Sequence, residues 1–524
     1  MSNESVPNNE SIPNNESIPN TDRRNFLKQA ATVAIAAGIP ARSYARIIGA
    51  NDRIQLAQLG CGGRSSGHVH MVQLASKQTP VETIACCDIW SLAAQARAAQ
   101  AKAAFNLEPK VYKYSEEMLA NKDIDAVMIA TGDFQHAKLC AEVVKAGKDC
   151  YVEKPFANVL AEAIETRNIV KASKQMVQVG SQHRSEPYQL AVRDIVRSGR
   201  IGDVVHIEQE WNVNQERWRW VASDTGGGPG ARGAGGMGGM MEAYQNASPE
   251  ERTKMMETFR AQRAQMGEHE RARYDNWQVE LWGHPSKLRE EDTDWNRWLL
   301  GKPYEPFDPH KYLEFRLYKN YSSGIFDQWM SHGSDLVHLF TDSLYPTSAV
   351  ANGGIFAWRD SRENPDTAVA SVTYPKGFLY TFKVNFGNSY RSFSRVMGTK
   401  GTLVNYGGEG ASLWTVSKEG GPQESSGSVD YTTMPITAPA SESEEVVTVP
   451  GADPPNSRGP GDDSVVHIMN WLNSIRSRQI PNANVDYGFA AAVVVIMAAH
   501  SYWSGTKLYW NPETEQILDH PTFS

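Results

Sequence analysis

Short apolar runs alternate with amphipathic, helix-forming segments through the first part of the chain. The apolar runs that we interpret as strands are 53–59, Val81–Cys87, 125–130, Asp149–Val152 and 177–180. Residues 137–146 have helical spacing of their apolar positions and stop at Gly147, as a helix with a glycine C-cap does. Strands that alternate with helices predict an α/β domain with a doubly wound parallel sheet.

The pattern changes after about residue 200. Three later runs are rich in β-branched and aromatic residues with partial period-two alternation: 204–211, 368–374 and 379–385. They predict a mostly antiparallel sheet, and two late helical segments make this second domain α/β as well. The two late helices are predicted at 465–474 and 487–504. A glycine-rich loop is predicted at 226–239, a helix from Ser248 onward, and surface loops at 418–462.

The first 45 residues have the composition of a targeting segment. Residues 3–20 repeat a polar, proline-containing hexamer, which predicts disorder. The pair Arg23-Arg24 and the small apolar run 30–39 resemble a twin-arginine signal peptide, with 43–45 as a small-x-small cleavage site. We therefore expect export to the periplasm with the twin-arginine translocase as a transient partner. The alternative is an amphipathic first helix of the fold.

We divide the chain into a leader (1–45), a nucleotide-binding domain (46–180) and a C-terminal domain (181–524) that carries an insertion at about 221–285. The 524 residues include 52 Lys and Arg against 60 Asp and Glu, for a net charge of −8. This acidity argues against nucleic acid as a partner. The lack of a purely apolar run of about 18 residues argues against an ordinary membrane span.

Five cysteines lie in one early segment, between Cys61 and Cys150. An odd, clustered set without paired CxxC spacing is a poor disulfide framework and a poor zinc site. We therefore expect no metal, and we expect a zinc chelator to leave activity unchanged.

A glycine-rich turn follows the first predicted strand, at Gly60, Gly62, Gly63 and Arg64. Such a turn, placed between a strand and a helix, lets backbone N–H groups approach a pyrophosphate, as in Rossmann domains. The usual third glycine is replaced by Ser65, so the motif alone has little specificity.

Asp88 ends the second predicted strand, where a carboxylate accepts hydrogen bonds from a ribose diol and repels a 2′-phosphate. This favours NAD(H) over NADP(H). The alternative is a loop residue that caps the next helix. Gly60, Asp88, Thr131 and Lys154 all follow predicted strands, so we expect them at one edge of the parallel sheet.

The order of motifs resembles the glucose–fructose oxidoreductase, inositol dehydrogenase and MocA (Gfo/Idh/MocA) family over most of the chain after the leader. The motifs are the glycine loop, DAVMIAT at 125–131, His136, AGK at 146–148, EKP at 153–155, GRIG at 199–202, GTKGT at 398–402, His467 with Asn470-Trp471, and LYWN at 508–511. The resemblance implies a Rossmann domain, a C-terminal open-sheet domain and a sugar or cyclitol substrate between them. It also implies a homo-oligomer. The cofactor contacts that it adds to the glycine loop and Asp88 are Thr131, His136, Glu153, Lys154, Pro155 and Gln182.

In this family the Glu-Lys-Pro lysine touches both the nicotinamide ribose and the substrate, so the resemblance makes Lys154 catalytic. The alternative is an exposed ion-paired lysine. His332, in a His-x-x-Asp pattern with Asp335, is the candidate acid or base, with a packed histidine as the alternative. The family's aspartate four residues earlier is Gln328 here, and Asp327 stands one position away. Either the helix is locally shifted so that Asp327 serves, or the proton relay differs.

Candidate substrate contacts are Lys154, Arg184, Gln328, His332 and Asp335, together with two or three of the aromatic residues between 277 and 329. We therefore expect an exported oxidoreductase that moves hydride to or from a secondary alcohol of a sugar, polyol or glycoside. Because free dinucleotide is scarce outside the cytoplasm, we expect tightly bound, recycled NAD(H). The alternatives are an NAD-dependent glycosidase that oxidises its substrate transiently, and a non-catalytic carbohydrate-binding protein on a degenerate Rossmann fold.

Overall fold

The computed structural model describes residues 53–213, 288–359, 361–388, 390, 392–405, 414–419, 445–449 and 462–521. The predicted leader, the glycine-rich loop, the helix predicted from Ser248 and the whole 221–285 insertion lie outside these residues, as does most of 418–462.

Six parallel strands form the N-terminal sheet in the order β3-β2-β1-β4-β5-β6, with helices between them. This is the predicted doubly wound sheet. Its elements are β1 (Ile54–Leu59), α1 (Gly63–Ala75), β2 (Val81–Cys87), α2 (Ser91–Phe105), β3 (Lys110–Tyr112), α3 (Ser115–Leu119), β4 (Ala126–Ile129), α4 (His136–Lys145), β5 (Asp149–Val152), α5 (Leu160–Ala172), β6 (Val177–Val179) and α6 (Pro187–Arg197).

The C-terminal sheet has ten described strands in the order β14-β13-β12-β11-β7-β10-β9-β8-β15-β16. All its neighbours are antiparallel except β7 and β10, so the predicted mostly antiparallel sheet is confirmed. The strands are β7 (Val204–Asn212), β8 (Ser348–Gly354), β9 (Thr367–Tyr374), β10 (Phe378–Asn385), β11 (Phe393–Gly398), β12 (Gly401–Asn405), β13 (Trp414–Lys418), β14 (Glu445–Val446), β15 (Leu508–Asn511) and β16 (Gln516–Leu518).

Helices of the second half connect the two sheets. They are α7 (Trp295–Leu299), α8 (Pro309–Leu313), a π-helical turn (Phe326–Met330), α9 (Ser331–Thr341), α10 (Asp462–Ser477) and α11 (Val485–Ser504). Among the described residues, α11 alone is long and apolar enough to cross a membrane, with a mean hydropathy of 1.4, but 78% of its apolar window is buried. It packs between α9 and β8, as a core helix does.

The helix α10 returns from the end of the chain to the N-terminal sheet. Its Ile468, Trp471 and Leu472 are buried in one cluster with residues of α1, β1, β4 and β5. His467 Nε2 lies 2.9 Å from the main-chain oxygen of Val179, and Gln178 donates to the His467 oxygen at 2.8 Å. By sequence position this segment belongs to the predicted C-terminal domain, yet its apolar face completes the nucleotide domain.

Candidate active site

A cleft of about 620 Å³ opens at the carboxyl ends of the parallel strands, a volume typical of a small-molecule or cofactor site. One wall carries the glycine loop, Asp88, Thr131 and Lys154. The opposite wall comes from the second half of the chain, with Trp298, Tyr312 and Phe315 from 295–317 and then Gln328 and His332. The prediction that strand ends bring the first group together agrees with this geometry.

The glycine loop leaves the start of α1 open to the cleft. Gly60 has φ +83° and no room for a side chain, since a Cβ there would lie 2.7 Å from Thr131 Cγ2. A Cβ on Gly62 would meet nothing within 4 Å. The first turn of α1 has no acidic residue and no side-chain cap, so its backbone N–H groups are suited to an anion. Ser65 is fully buried and donates to Gln58 Oε1 at 3.2 Å, which keeps this replacement for glycine away from the cradle.

Asp88 supports two loops at once. Its Oδ2 accepts from the Cys61 N–H at 2.7 Å, and its Oδ1 accepts from the Trp90 N–H at 2.8 Å at the start of α2. Burial raises the pKa of Asp88, while these backbone donors and Arg97 act in the opposite direction. Asp88 thus joins the glycine loop to the N-cap residue of α2, and it also lines the cleft; the first turn of α2 has no side-chain cap. Arg97 donates to the Gly62 oxygen at 3.0 Å and braces the loop from behind.

Two buried polar atoms beside the cleft have no partner among the described residues, Thr131 Oγ1 and His136 Nε2. His136 Nδ1 lies 2.7 Å from the Pro155 oxygen, so its N–H donates there and Nε2 is left as an acceptor. Burial lowers the pKa of His136, which keeps the ring neutral. Orphaned groups of this kind, together with the open glycine cradle and Asp88, fit a bound dinucleotide.

Glu153 links the glycine loop to the lysine next to it. Its Oε1 accepts from Arg64 Nε at 2.6 Å and from Gln182 Nε2 at 3.1 Å, and it lies 2.9 Å from His68 Nε2. Burial alone would raise the pKa of Glu153, but Arg64 and His68 hold it well below its usual range. The carboxylate therefore stays ionised and fixes the position of β5's end relative to α1.

Lys154 lines the cleft, and its Nζ donates to the main-chain oxygen of Gln328 at 2.5 Å. The Lys154–Pro155 peptide is cis. The predicted catalytic lysine is thus held against the π-helical turn of the second half of the chain, where a substrate between the two domains would lie.

His332 also lines the cleft, at the start of α9. Its ring meets the ring of His183 edge to face, with centroids 4.9 Å apart. Desolvation, Lys154 and His183 hold the pKa of His332 well below its usual range. His183 in turn pairs with Glu186. The predicted acid or base is therefore a neutral imidazole beside a cation.

The segment before His332 is shifted, because Phe326–Met330 forms a π-helical turn. The shift does not place Asp327 on His332: the Asp327 carboxylate accepts from the Ser323 N–H at 2.6 Å and lies 3.4 Å from Ser322 Oγ. Gln328 donates through Nε2 to Asp133 Oδ2 at 2.6 Å. Both residues belong to a polar network behind the cleft wall, and Gln328 also lines the cleft.

The structure does not bring Arg184 and Asp335 into the cleft, although both were predicted substrate contacts. The Arg184 Nε lies 3.0 Å from both Asp335 oxygens, and both residues are buried. Arg184 also stacks on the ring of Tyr487, 3.8 Å from its centroid. The pair joins the segment after β6 to α9.

Several cleft-side residues were not predicted as site residues. Asp133 lies between the predicted Thr131 and His136, so the motif could have pointed to it. Ser322 comes from a segment with no distinguishing pattern. Arg316 was a plausible pocket-lining residue and Tyr312 belongs to the aromatic residues expected near the substrate, and both line the cleft. Most aromatic residues of 288–329 pack with one another, and Trp298, Tyr312 and Phe315 are the ones that line the cleft. Among the described residues no group of three His, Cys, Asp or Glu side chains could hold a metal ion.

Two models of one protein family match the chain. The first, described as an oxidoreductase family with an NAD-binding Rossmann fold, matches residues 54–181, and the second, its C-terminal domain, matches 294–404. Over these residues the chain is similar to the Gfo/Idh/MocA family. The domain order predicted for this family is the order that the structure shows.

The curated relatives match only part of this chain. Inositol 2-dehydrogenase of Salmonella typhimurium is 33% identical over 139 residues, 26% of this chain and 40% of that relative. Glycosyl hydrolase family 109 protein 2 of Shewanella sp. (strain ANA-3) is 27% identical over 229 residues, 39% of this chain and 48% of the relative. The chain thus matches less than half the length of these relatives.

Solved structures of similar fold cover more of the chain. A levoglucosan dehydrogenase in complex with NADH and levoglucosan has a TM-score of 0.57 at 13% identity, covering 87% of this chain and 99% of the other. At this identity the similarity shows that the two chains share a fold.

Proposed function

We propose that this protein is an NAD(H)-dependent oxidoreductase that acts on a secondary alcohol of a sugar, polyol or glycoside. One observation carries the proposal: the open glycine cradle and the Lys154 ammonium face a single cleft between the two domains. The inositol and levoglucosan dehydrogenases among the similar proteins support a polyhydroxylated substrate.

A bound nicotinamide would supply the hydride acceptor or donor. The chain would hold the dinucleotide with the N–H groups of Gly62 and Gly63, the carboxylate of Asp88, and the acceptors Thr131 Oγ1 and His136 Nε2. Asp88 supports NAD(H) over NADP(H), because a 2′-phosphate there would face a carboxylate that is already partly desolvated.

Lys154 and His332 would handle the proton of the substrate hydroxyl. The Lys154 ammonium polarises the oxygen that gains or loses the proton. His332, kept neutral by desolvation and by Lys154, is able to accept that proton. The main-chain oxygen of Gln328 accepts a hydrogen bond from the Lys154 ammonium and holds it in the part of the cleft where the substrate would lie.

Tight retention of the cofactor is supported by the residues that cover the nucleotide end of the cleft. Leu288, Phe307, Tyr312 and Leu313 pack with Trp90 in one apolar cluster. Tyr312 lies edge to face with Trp90, with ring centroids 6.3 Å apart. These residues, which we call the strap (288–317), would have to separate from Trp90 before an adenosine group left.

Export and assembly belong to the same proposal. The twin-arginine pattern supports a periplasmic location and transport by the twin-arginine translocase after folding. Changing Arg23 and Arg24 to lysine should leave the protein in the cytoplasm, as cell fractionation would show. On the outer face of the ten-stranded sheet, Val350, Val369 and Leu379 are exposed on neighbouring strands, which supports a homo-oligomer. Analytical ultracentrifugation tests this.

A redox-neutral glycosidase is the second candidate, because a relative of 27% identity is named as a glycosyl hydrolase. In that case the same Lys154 and His332 would serve oxidation, elimination, addition and reduction in one cleft. Release of aglycone from a model glycoside without added nucleotide would favour this candidate.

The first experiment is to purify the protein, denature it and identify released nucleotide by mass spectrometry. Near-stoichiometric NAD(H) is expected, NADP(H) would contradict the assignment of Asp88, and a protein that stays empty and cannot be reloaded would favour the carbohydrate-binding alternative.

Lys154→Met then tests the chemistry, because methionine keeps the length of the side chain and removes its charge. We expect the variant to retain nucleotide and to lose kcat by roughly 10²–10⁴-fold on the accepted sugar. The exposed Lys122→Met is the matched control. Unchanged turnover in Lys154→Met would refute the proposed mechanism.

A further inference from the structure

Two buried carboxylates meet behind the cleft wall. Asp133, after β4, is 1% exposed, and Asp327, in the π-helical turn, is 0% exposed. The hydroxyl of Ser322 lies 2.7 Å from Asp133 Oδ2 and 3.4 Å from Asp327 Oδ2. The other oxygen of each carboxyl group has no hydrogen-bond partner among the described residues. Two negative charges this close together and this far from water are costly, because each disfavours ionisation of the other.

The donors around the pair are unequal. Asp133 Oδ2 accepts from both Ser322 Oγ and, at 2.6 Å, Gln328 Nε2. Asp327 has one short bond, from the Ser323 N–H. Asp327, which has fewer donors, is therefore the group of the pair that keeps a proton.

The charged and titratable groups that face the pair are Lys154, Arg316 and His136. Burial and Asp133 raise the pKa of Asp327 to about 7, against the opposing effect of Lys154. Arg316 attracts both carboxylates, and His136 is neutral. The neighbouring cations reduce the cost of the pair without giving either Oδ1 atom a hydrogen bond.

Gln328 connects the pair to Lys154. Its side chain donates to Asp133, while its main-chain oxygen accepts from Lys154 Nζ at 2.5 Å. A change in the charge or geometry of Asp133 thus reaches the ammonium through one residue.

We propose that Asp133 and Asp327 share one proton through Ser322, and that Asp133 is a positioning residue that holds Gln328 and, through it, Lys154. Only the consequence for turnover rests on the proposed function. The shared proton itself is a property of the folded chain.

Infrared spectroscopy of the full-length protein without substrate tests the proposal. A carbonyl band of a protonated carboxyl group that Asp327→Asn removes should titrate near neutral pH. Asp133→Asn keeps an acceptor for Ser322 and Gln328 but removes the like charge, so the midpoint of the Asp327 band should move at least one pH unit lower. The exposed Asp123→Asn is the matched control and should leave the midpoint in place.

Ser322→Ala should shift the midpoint of the Asp327 band in the opposite direction. It removes a donor from Asp133 and leaves both carboxyl groups, so the pair should hold its proton more strongly and the midpoint should rise. A merely structural role for Asp133 predicts no such reversal between the two variants.

Stability provides a second readout. A carboxyl group whose pKa rises from about 3.9 unfolded to about 7 folded binds its proton more tightly in the native state. The free energy of unfolding therefore falls as pH rises between these two pKa values. The Tm of Asp133→Asn relative to wild type should increase between pH 4 and pH 7.

The proposal is overturned if no carboxyl band titrates above pH 6, or if Asp133→Asn leaves the midpoint unchanged. Neither outcome depends on whether the protein oxidises a sugar. If the band behaves as expected and the protein holds no nucleotide, the proposed function fails while the shared proton stands. In an active enzyme, the midpoint of kcat against pH should move with the infrared midpoint.

Discussion

Gly60 and Gly62 stand two positions apart in the glycine loop, and the structure gives them different tasks. Gly60 turns the chain at a positive φ in a place with no room, whereas Gly62 keeps an open surface clear for an anion. Sequence alone identifies both as members of one motif and does not separate these tasks.

Alanine at each position should separate stability from binding. Gly62→Ala should keep the Tm within a few degrees and weaken nucleotide affinity on the order of tenfold or more, because its methyl group enters the cradle. Gly60→Ala should lose about 1–3 kcal/mol of unfolding stability from its backbone conformation, in addition to the cost of steric overlap. Thermal melts and nucleotide titration of both variants check this. Equal losses of stability would show that the two glycines are not distinguished in this way.

Cleft residues that directly follow the parallel strands were predictable, because the carboxyl ends of parallel strands lie at the same edge of the sheet. Lys154, Asp88 and Thr131 were found in this way. The hydrogen bond between Ser322 and Asp133 joins residues 189 positions apart, and no pattern in the sequence indicates it. Arg184 and Asp335 show the reverse case, since a charged motif that looks suited to a substrate is satisfied internally.

At the scale of elements, strands with simple apolar runs were predicted closely. Val81–Cys87 and Asp149–Val152 have the predicted bounds, and β10 begins one residue before its predicted start. The position of Asp327 left open either a local shift that would let it serve His332 or a different proton relay. The structure has a π-helical turn there, but Asp327 bonds Ser323 and not His332. The direction in which the Gln328 side chain points was not predictable, because it depends on a hydrogen bond to Asp133 in the nucleotide domain.

The helix α10 shows an element whose partner lies far away in sequence. Trp471 is fully buried, donates to the Met176 oxygen at 3.3 Å and packs on Tyr151, with ring centroids 5.6 Å apart. We expect Trp471→Ala to lose about 3–5 kcal/mol of unfolding stability through the cavity that it leaves. Trp503→Ala, at a side chain of α11 that is 45% exposed, is the control. Similar small losses in both variants, measured by denaturant unfolding, would show that α10 does not stabilise the nucleotide domain.

At the scale of the whole molecule, the nucleotide cleft is built by segments from both halves of the chain. Hydrophobic patterning predicted two domains and the edge of the sheet at which they meet. It did not predict that the strap covers Trp90, because contacts between distant segments leave no local pattern.

The strap makes a prediction about cofactor release. Tyr312 packs between Trp90 and Trp298 and lines the cleft together with the glycine loop. Burial, Asp88 and Cys61 raise its pKa well above the usual range. Tyr312→Ala should increase the dissociation rate of NAD(H) on the order of tenfold or more. Tyr304→Ala, at a side chain of the same segment that is 63% exposed, should not change it. Stopped-flow displacement of bound nucleotide measures both, and equal rates would remove the strap from the explanation of tight binding.

The return of α10 to the first sheet also sets an order of events during synthesis. A ribosome releases the six parallel strands early, but the face that Trp471 covers stays exposed until residues 462–477 have been made. The nucleotide domain of a nascent chain therefore lacks part of its core for most of translation. Loading of a dinucleotide, and any quality control that requires a folded protein before transport, would have to wait until α10 has been made.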